Sequence, residues 1–293
     1  MKVLKGVSGR MGHEASLQEV DKPAANSLPV SIDDVREAHA RISSSIVRTP
    51  TLLSKTLSKI IGAQVWLKFE NLQFTAAYKE RGALNRLLLM SEKARSRGVI
   101  AASAGNHAQG LAYHGARLGV PVTIVMPKST PTVKVSQTQG HGATVVLYGD
   151  NFDEANAYSR ELEQERGLTY VHPFDDPEVI AGQGTVALEM LEDAPGIDTL
   201  VLPVGGGGLI SGCAIAAKAV NPAIRVIGVQ SNRYLALYSL KTGKQIDGGG
   251  DTLAEGIAVK FPGALSSRFV MSIVDEMRIV NESIIETAIS LLL

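Results

Sequence analysis

The chain of 293 residues carries 29 basic and 29 acidic side chains, is 45% hydrophobic and 20% charged, and reads as a soluble globular protein long enough for two domains. Zero formal net charge without a sustained Lys/Arg run excludes a nucleic-acid or polyanion surface, and 5% aromatic content offers no stacking platform, so a small metabolite is the expected partner. Cys213 is the only cysteine, which excludes an intrachain disulfide, and there is neither a membrane-length apolar run nor a signal-peptide core, so no membrane span is expected and the cytoplasm is the expected compartment.

Residues 1–30 are polar and aperiodic and predict a mobile extension. The stretch SIDDVREAHARISSSI predicts a helix capped by Ser31, and QVWLK a strand. Lys79 then opens an amphipathic helix, with Glu80 and Arg81 reading as ordinary solvated charges beside it. An amine there becomes chemically useful only if desolvation lowers its pKa, which would let it form an imine with a carbonyl. Apolar runs at 99–102, 121–126 and 144–147 predict strands, each followed by a helical run, the pattern of parallel βαβ units.

Between the first of these strands and the helix expected at 106–118 lie Ser103, Ala104 and Gly105. Small side chains at a helix start leave amides open to an anion, so a carboxylate could sit there, with the Asn106 amide beside it. The same segment also reads as a plain capped helix start. NFDEANAYSRELEQERG predicts a helix ending at Gly167. A buried strand at 200–204 follows, then Gly205, Gly206, Gly207 and Gly208, then a helix from Leu209 to Val220, and a further strand at 225–229. A loop without β-carbons at a helix N-terminus is a site for a phosphate. Neither the P-loop nor the GxGxxG spacing is met, so a phosphomonoester outranks ATP or NAD, although a bare turn gives the same letters.

The six histidines, His13, His39, His107, His114, His141 and His172, lack the carboxylate or cysteine company of a metal set, so no metal is expected. His114 reads as a capping or packing residue, and His107 as a candidate for the substrate loop. Cys213, on the helix after the glycines, reads as a small core residue. The terminal run ESIIETAISLLL has no glycine or other stop signal and reads as cut short.

The segments KFENLQFTAAYKERGA, SAGNHAQG, HPFDDPEVIAGQGT, PVGGGGLISG and LAEGIAVKFPG occur in the order found in threonine dehydratases, and from about Ser31 onward the chain resembles these and the related serine racemases, fold-type II pyridoxal-phosphate enzymes. The resemblance implies an α/β fold of two open, twisted, mainly parallel sheets flanked by helices, like the tryptophan synthase beta chain. It implies a larger cofactor-binding domain from 31–97 and 176–293, C-terminally incomplete, and a smaller substrate-loop domain from 98–175. Lys79 corresponds to the lysine that binds pyridoxal 5'-phosphate and shuttles protons, Asn106 to the contact of the cofactor O3′, and Gly205 to Leu209 to the phosphate-binding amides. Ser103, Ala104, Gly105, Asn106 and His107 correspond to the loop that receives the substrate carboxylate.

Three departures matter. FTAAYK stands where the family more often has threonine, glycine, serine, phenylalanine and lysine, so Ala76 and Ala77 weaken any hydroxyl role. Ala104 occupies the position of the second serine by which racemases exchange a proton, and Gln230 and Ala236 leave no acidic cluster for a racemase-type cation. The serine or cysteine that faces the pyridine nitrogen falls beyond Leu293. The implied activity is elimination from L-threonine to 2-oxobutanoate and ammonia in a homodimer or homotetramer, with isoleucine biosynthesis or amino-acid breakdown as the pathway. L-serine dehydratase, serine racemase and an inactive fragment acting by association are the alternatives.

Overall fold

The computed structural model describes residues 28–292. His13 and most of the expected extension lie outside the described residues; its last part departs from expectation, since Val30 is buried and Leu28 packs on the core. Helix α1 (Ile32–Ile42) begins where expected because Ser31 and Asp34 close a reciprocal capping box, and it turns Val35, Ala38 and Ile42 inward. Strands β1 (Thr51–Leu53) and β2 (Trp66–Lys68) pair antiparallel around α2 (Lys55–Ile61), and α3 (Lys79–Leu89) and α4 (Glu92–Arg97) follow.

The next segment alternates strand and helix: β3 (Val99–Ala102), α5 (Asn106–Arg117), β4 (Val122–Met126), α6 (Thr132–Gly140), β5 (Thr144–Leu147), α7 (Phe152–Arg166) and β6 (Thr169–Tyr170). Its four strands form one parallel sheet in the order β5-β4-β3-β6. All four residues of β3 are buried, as a central parallel strand covered on both faces requires. Gly167 stops α7 in the left-handed conformation at the expected position.

Helix α8 (Pro177–Asp193) leads into a second sheet made of β7 (Thr199–Pro203), β8 (Arg225–Ser231) and β9 (Glu276–Val280), parallel in that order. Helices α9 (Gly208–Val220), α10 (Ala236–Thr242), α11 (Ala264–Ile273) and α12 (Glu282–Leu292) complete it. Two mainly parallel sheets with flanking helices are the fold expected from the sequence. Cys213 is fully buried among Ile180, Leu200, Ile210 and Phe269, and burial pushes its thiol up to about 12, so it is a core residue.

Glycines bring three helices into backbone contact. A β-carbon at Gly182 of α8 would sit 2.6 Å from Gly82 Cα of α3, and one at Gly184 would sit 2.7 Å from the Gly212 carbonyl oxygen of α9. Thus α8 holds α3 and α9 at once, one within four residues of Lys79 and the other within five of Gly208. The alanine methyl of Gly212→Ala would lie 2.5 Å from Gly184 N and overlap the Ile180 carbonyl oxygen, neither of which can move without parting the helices. This change is expected to cost about 3 kcal/mol, read as a lower denaturant midpoint at unchanged m-value.

Candidate active site

Both loops singled out in the sequence fall at the carboxyl ends of parallel strands, where open α/β sheets place ligands. Ser103, Ala104 and Gly105 follow β3 and lead into α5, while Val204 to Gly207 follow β7 and lead into α9. Lys79 is the first residue of α3.

The glycine loop is packed from outside. Gly207 adopts φ +100°, open to glycine alone at little cost, and a β-carbon there would lie 2.8 Å from Ser266 Cβ. A β-carbon at Gly206 would overlap the Phe174 ring, and one at Gly208 would lie 2.7 Å from the Phe174 carbonyl oxygen. Ser266 Oγ donates to the Gly206 carbonyl at 2.5 Å, and the Ser266 amide donates to Asp175 Oδ1 at 2.9 Å. Among the described residues the amides of Gly205 to Leu209 donate to no protein acceptor, so the start of α9 presents free N–H groups and a positive dipole end.

The Lys79 amine points inward although the residue keeps some solvent contact; it donates to the Pro173 carbonyl at 2.7 Å and lies 6.0 Å from the centre of the Phe174 ring. Burial lowers its pKa to about 8, and no carboxylate pairs with it among the described residues. Pro173 and Phe174 therefore join the amine to the glycine loop, one through its carbonyl and the other through its ring. Helix α5 is packed closely on the start of α3 as well: a β-carbon at Gly110 would lie 3.2 Å from the Glu80 amide nitrogen.

His107 is buried in the first turn of α5, its Nε2 donating to the Val171 carbonyl at 3.0 Å and its Nδ1 unpartnered. Burial, with the Lys79 charge adding to it, lowers its pKa to about 3, so the ring is neutral. His172 is likewise lowered, to about 4, by burial, and its Nδ1 accepts from the amides of Phe174 and Asp175 at 3.3 and 2.8 Å. Asn106 is exposed at the loop's end, its Nδ2 3.9 Å from where a Gly256 β-carbon would be. Ala104 is half-buried within the loop. Gln230 is buried with Oε1 accepting from the Tyr238 amide at 2.7 Å, and no cluster of three potential metal-ligating side chains occurs among the described residues.

One expectation is corrected. Glu80 and Arg81 are not solvated helix-start charges; both are fully buried. Arg81 spans Glu70 and Glu189 with four hydrogen bonds of 2.7 to 2.8 Å. Ala76, besides lacking a hydroxyl, adopts φ +53°, which the sequence did not signal. Sequence reasoning also missed Pro173, Phe174, Asp175 and Ser266 as parts of the site. The HPFDDP segment that holds three of them carried a signal only as a motif.

A desolvated lysine amine and a loop of free amides are the two features that a ligand bearing both a carbonyl and a phosphate would require. Comparison with known proteins makes the class definite. Residues 42–293 match the family described as pyridoxal-phosphate dependent enzyme. The chain is 47% identical over 267 residues to the L-threonine ammonia-lyase of Thermotoga maritima, covering 90% of this chain and 66% of that one, just under two thirds of the relative's length. It is 45% identical over 265 residues to a catabolic L-threonine dehydratase of Staphylococcus aureus strain USA300, covering 88% and 76%. The fold superposes on maize serine racemase with a TM-score of 0.85 at 35% identity, over 89% of this chain and 80% of that one. On threonine deaminase isoform 2 of Solanum lycopersicum the values are 0.82 and 37%, over 89% and 78%. The chain belongs to the pyridoxal-phosphate dependent enzymes, and its cofactor is pyridoxal phosphate. The free amides of the glycine loop suit its phosphate, and the desolvated Lys79 amine suits its aldehyde.

Proposed function

We propose that the protein is a threonine ammonia-lyase that converts L-threonine to 2-oxobutanoate and ammonia. The observation that carries this reading is the buried, unpaired Lys79 amine joined through Pro173 and Phe174 to the glycine loop. Bound pyridoxal phosphate supplies an electron sink for the charge left at the substrate α-carbon. Gly205, Gly206, Gly207, Gly208 and Leu209 hold its phosphate through backbone amides, and Asn106 holds its ring hydroxyl. With its pKa near 8, the Lys79 amine is partly free base at neutral pH, so it can bind the cofactor aldehyde and take the α-proton. The Ser103 amide is committed to the Val125 carbonyl at 3.2 Å and the Gly105 amide to Ser103 Oγ at 3.3 Å, so within the loop from Ser103 to His107 the amides of Ala104, Asn106 and His107 receive the substrate carboxylate and fix the α-carbon before Lys79. The neutral rings of His107 and His172 leave Lys79 the principal positive charge of this pocket.

Ala104 favours elimination over racemisation, because a methyl side chain has no proton to deliver on the face opposite Lys79. L-Serine is the second substrate we expect. The catabolic name carried by the Staphylococcus relatives favours threonine breakdown over isoleucine synthesis. We assign residues 98–175 to the substrate-loop unit and residues 31–97 and 176–293 to the cofactor unit, and place the protein in the cytoplasm as a homodimer or homotetramer, which sedimentation of the purified protein checks. An inactive fragment is not needed to account for the comparisons, since the lysine and both loops lie within the family match. The test is to purify the protein with pyridoxal phosphate, record its visible spectrum, and follow 2-keto-acid release from L-threonine and L-serine. Faster release from threonine supports the reading; faster release from serine makes it a serine dehydratase, and a bound cofactor without keto acid from either overturns it.

A further inference from the structure

The turn that delivers Lys79 is strained. Ala76 sits at φ +53°, the one non-glycine residue with positive φ among the described residues, and its exposed methyl gains no packing there. Such a conformation persists only where its surroundings over-determine it. On the upstream side the Gln73 carbonyl accepts from the Ala76 amide at 2.9 Å, while the Gln73 side chain is fixed to the Val47 backbone by bonds of 3.1 and 2.8 Å.

On the downstream side stands Glu80. Its Oε1 accepts from both the amide and the hydroxyl of Thr75, the latter at 2.9 Å, and its Oε2 accepts from His114 Nε2 at 3.2 Å. Arg117 donates to the other ring nitrogen of His114 at 3.5 Å and to the Ser45 carbonyl at 2.8 Å, which fixes the imidazole with its proton toward Glu80. Thr75, Glu80 and His114 are all buried, and Phe74 stacks on Tyr113 with ring centres 5.2 Å apart, so the turn is clamped to α5 on both sides of Ala76.

We propose that the Glu80–His114 pair is a strap that holds the left-handed Ala76 turn and thereby positions Lys79 for the cofactor, making Glu80 and His114 positioning residues of the reaction. The proposal rests on Lys79 as the cofactor anchor. Glutamine at position 80 would face the His114 N–H with a donor or lose an acceptor for Thr75, so Glu80→Gln releases one end of the strap. Glycine at position 76 removes the strain that the strap opposes.

The test is a double-mutant cycle of Glu80→Gln and Ala76→Gly, read as pyridoxal phosphate affinity by absorbance and as the melting temperature of the cofactor-free protein. Glu80→Gln alone is expected to weaken cofactor binding about tenfold, but only about threefold in the Ala76→Gly background, with the melting temperatures coupled in the same sense. Equal losses in both backgrounds would show a plain packing role and overturn the proposal. Thr75→Val, which removes the hydroxyl bond to Glu80 and keeps the Thr75 amide bond and the His114 pair, gives a milder version of the same cycle should Glu80→Gln not fold. The cofactor-free measurement separates the strap from the reading of Lys79: coupling in melting temperature without cofactor binding by the parent protein would uphold the strap and remove the anchor.

Discussion

Lys79→Ala should leave a folded protein that no longer shows the visible absorbance of lysine-bound cofactor and turns over threonine at least about a thousandfold more slowly. The nearest lysine in sequence, Lys68, cannot take its place, being spent on Glu189 at 2.6 Å and on the Thr49 carbonyl at 2.7 Å. The side chain of Lys79 makes one hydrogen bond, to a carbonyl that solvent can satisfy, so its loss should scarcely change stability. The pH dependence of cofactor uptake by the unloaded protein checks the same group independently. Only the neutral amine attacks an aldehyde, and burial lowers its pKa from the 10.5 of a free lysine to about 8, so the rate should climb with pH through a midpoint near 8. A midpoint above 10 would place the amine in water and remove the chemical basis of its role.

Arg81→Met should lower stability by about 3 to 5 kcal/mol, seen as a melting temperature reduced by roughly 10 °C. The guanidinium is fully buried between Glu70 and Glu189 and also donates to Thr185 Oγ1 at 3.1 Å. Burial alone would raise the Glu189 carboxyl, but the bonds from Arg81 and then Lys68 outweigh it and hold the pKa below the usual range. Methionine leaves Glu189 with Lys68 but takes from Glu70 the cation it is paired with, so the Glu70 charge is left to the Thr49 hydroxyl and the Gln73 amide. The depressed Glu189 stabilises the fold above the ordinary carboxylate pKa, and that contribution is lost as pH falls through its folded value. A loss under about 1 kcal/mol for Arg81→Met would show that water reaches the network.

What could be read from the sequence follows from where side chains carry the signal. The capping Ser31 and the terminal Gly167 marked their helices because capping is local chemistry. Strands β3 and β4 stood out as apolar runs, whereas β6 has two residues and β1 three, too few for a period to register. Helix α8 passed unseen because most of it is buried and it lacks the polar face that makes a helical repeat visible, although Asp176 before Pro177 is a helix-start signal. In the site, Lys79 and the glycines were legible as motif letters. The Pro173 carbonyl was not, because a backbone acceptor leaves no trace in residue type. Glu80 and Arg81 were misread because charge near a helix start ordinarily means solvent, and only tertiary pairing reverses that.

The paired glycines of α8 give the site a ruler. Where helices meet through side chains, a change of rotamer can lengthen or shorten the gap; where Gly82 meets Gly182 and Gly184 meets Gly212, main chain rests on main chain and there is nothing to adjust. The span from the main chain at the head of α3 to the amides at the head of α9 is thus written in polypeptide geometry. On the proposed reading, a ligand held by Lys79 and the glycine loop would have to match that span between its aldehyde carbon and its phosphate, while substitutions elsewhere in the pocket would alter which substrate is received without resetting the distance.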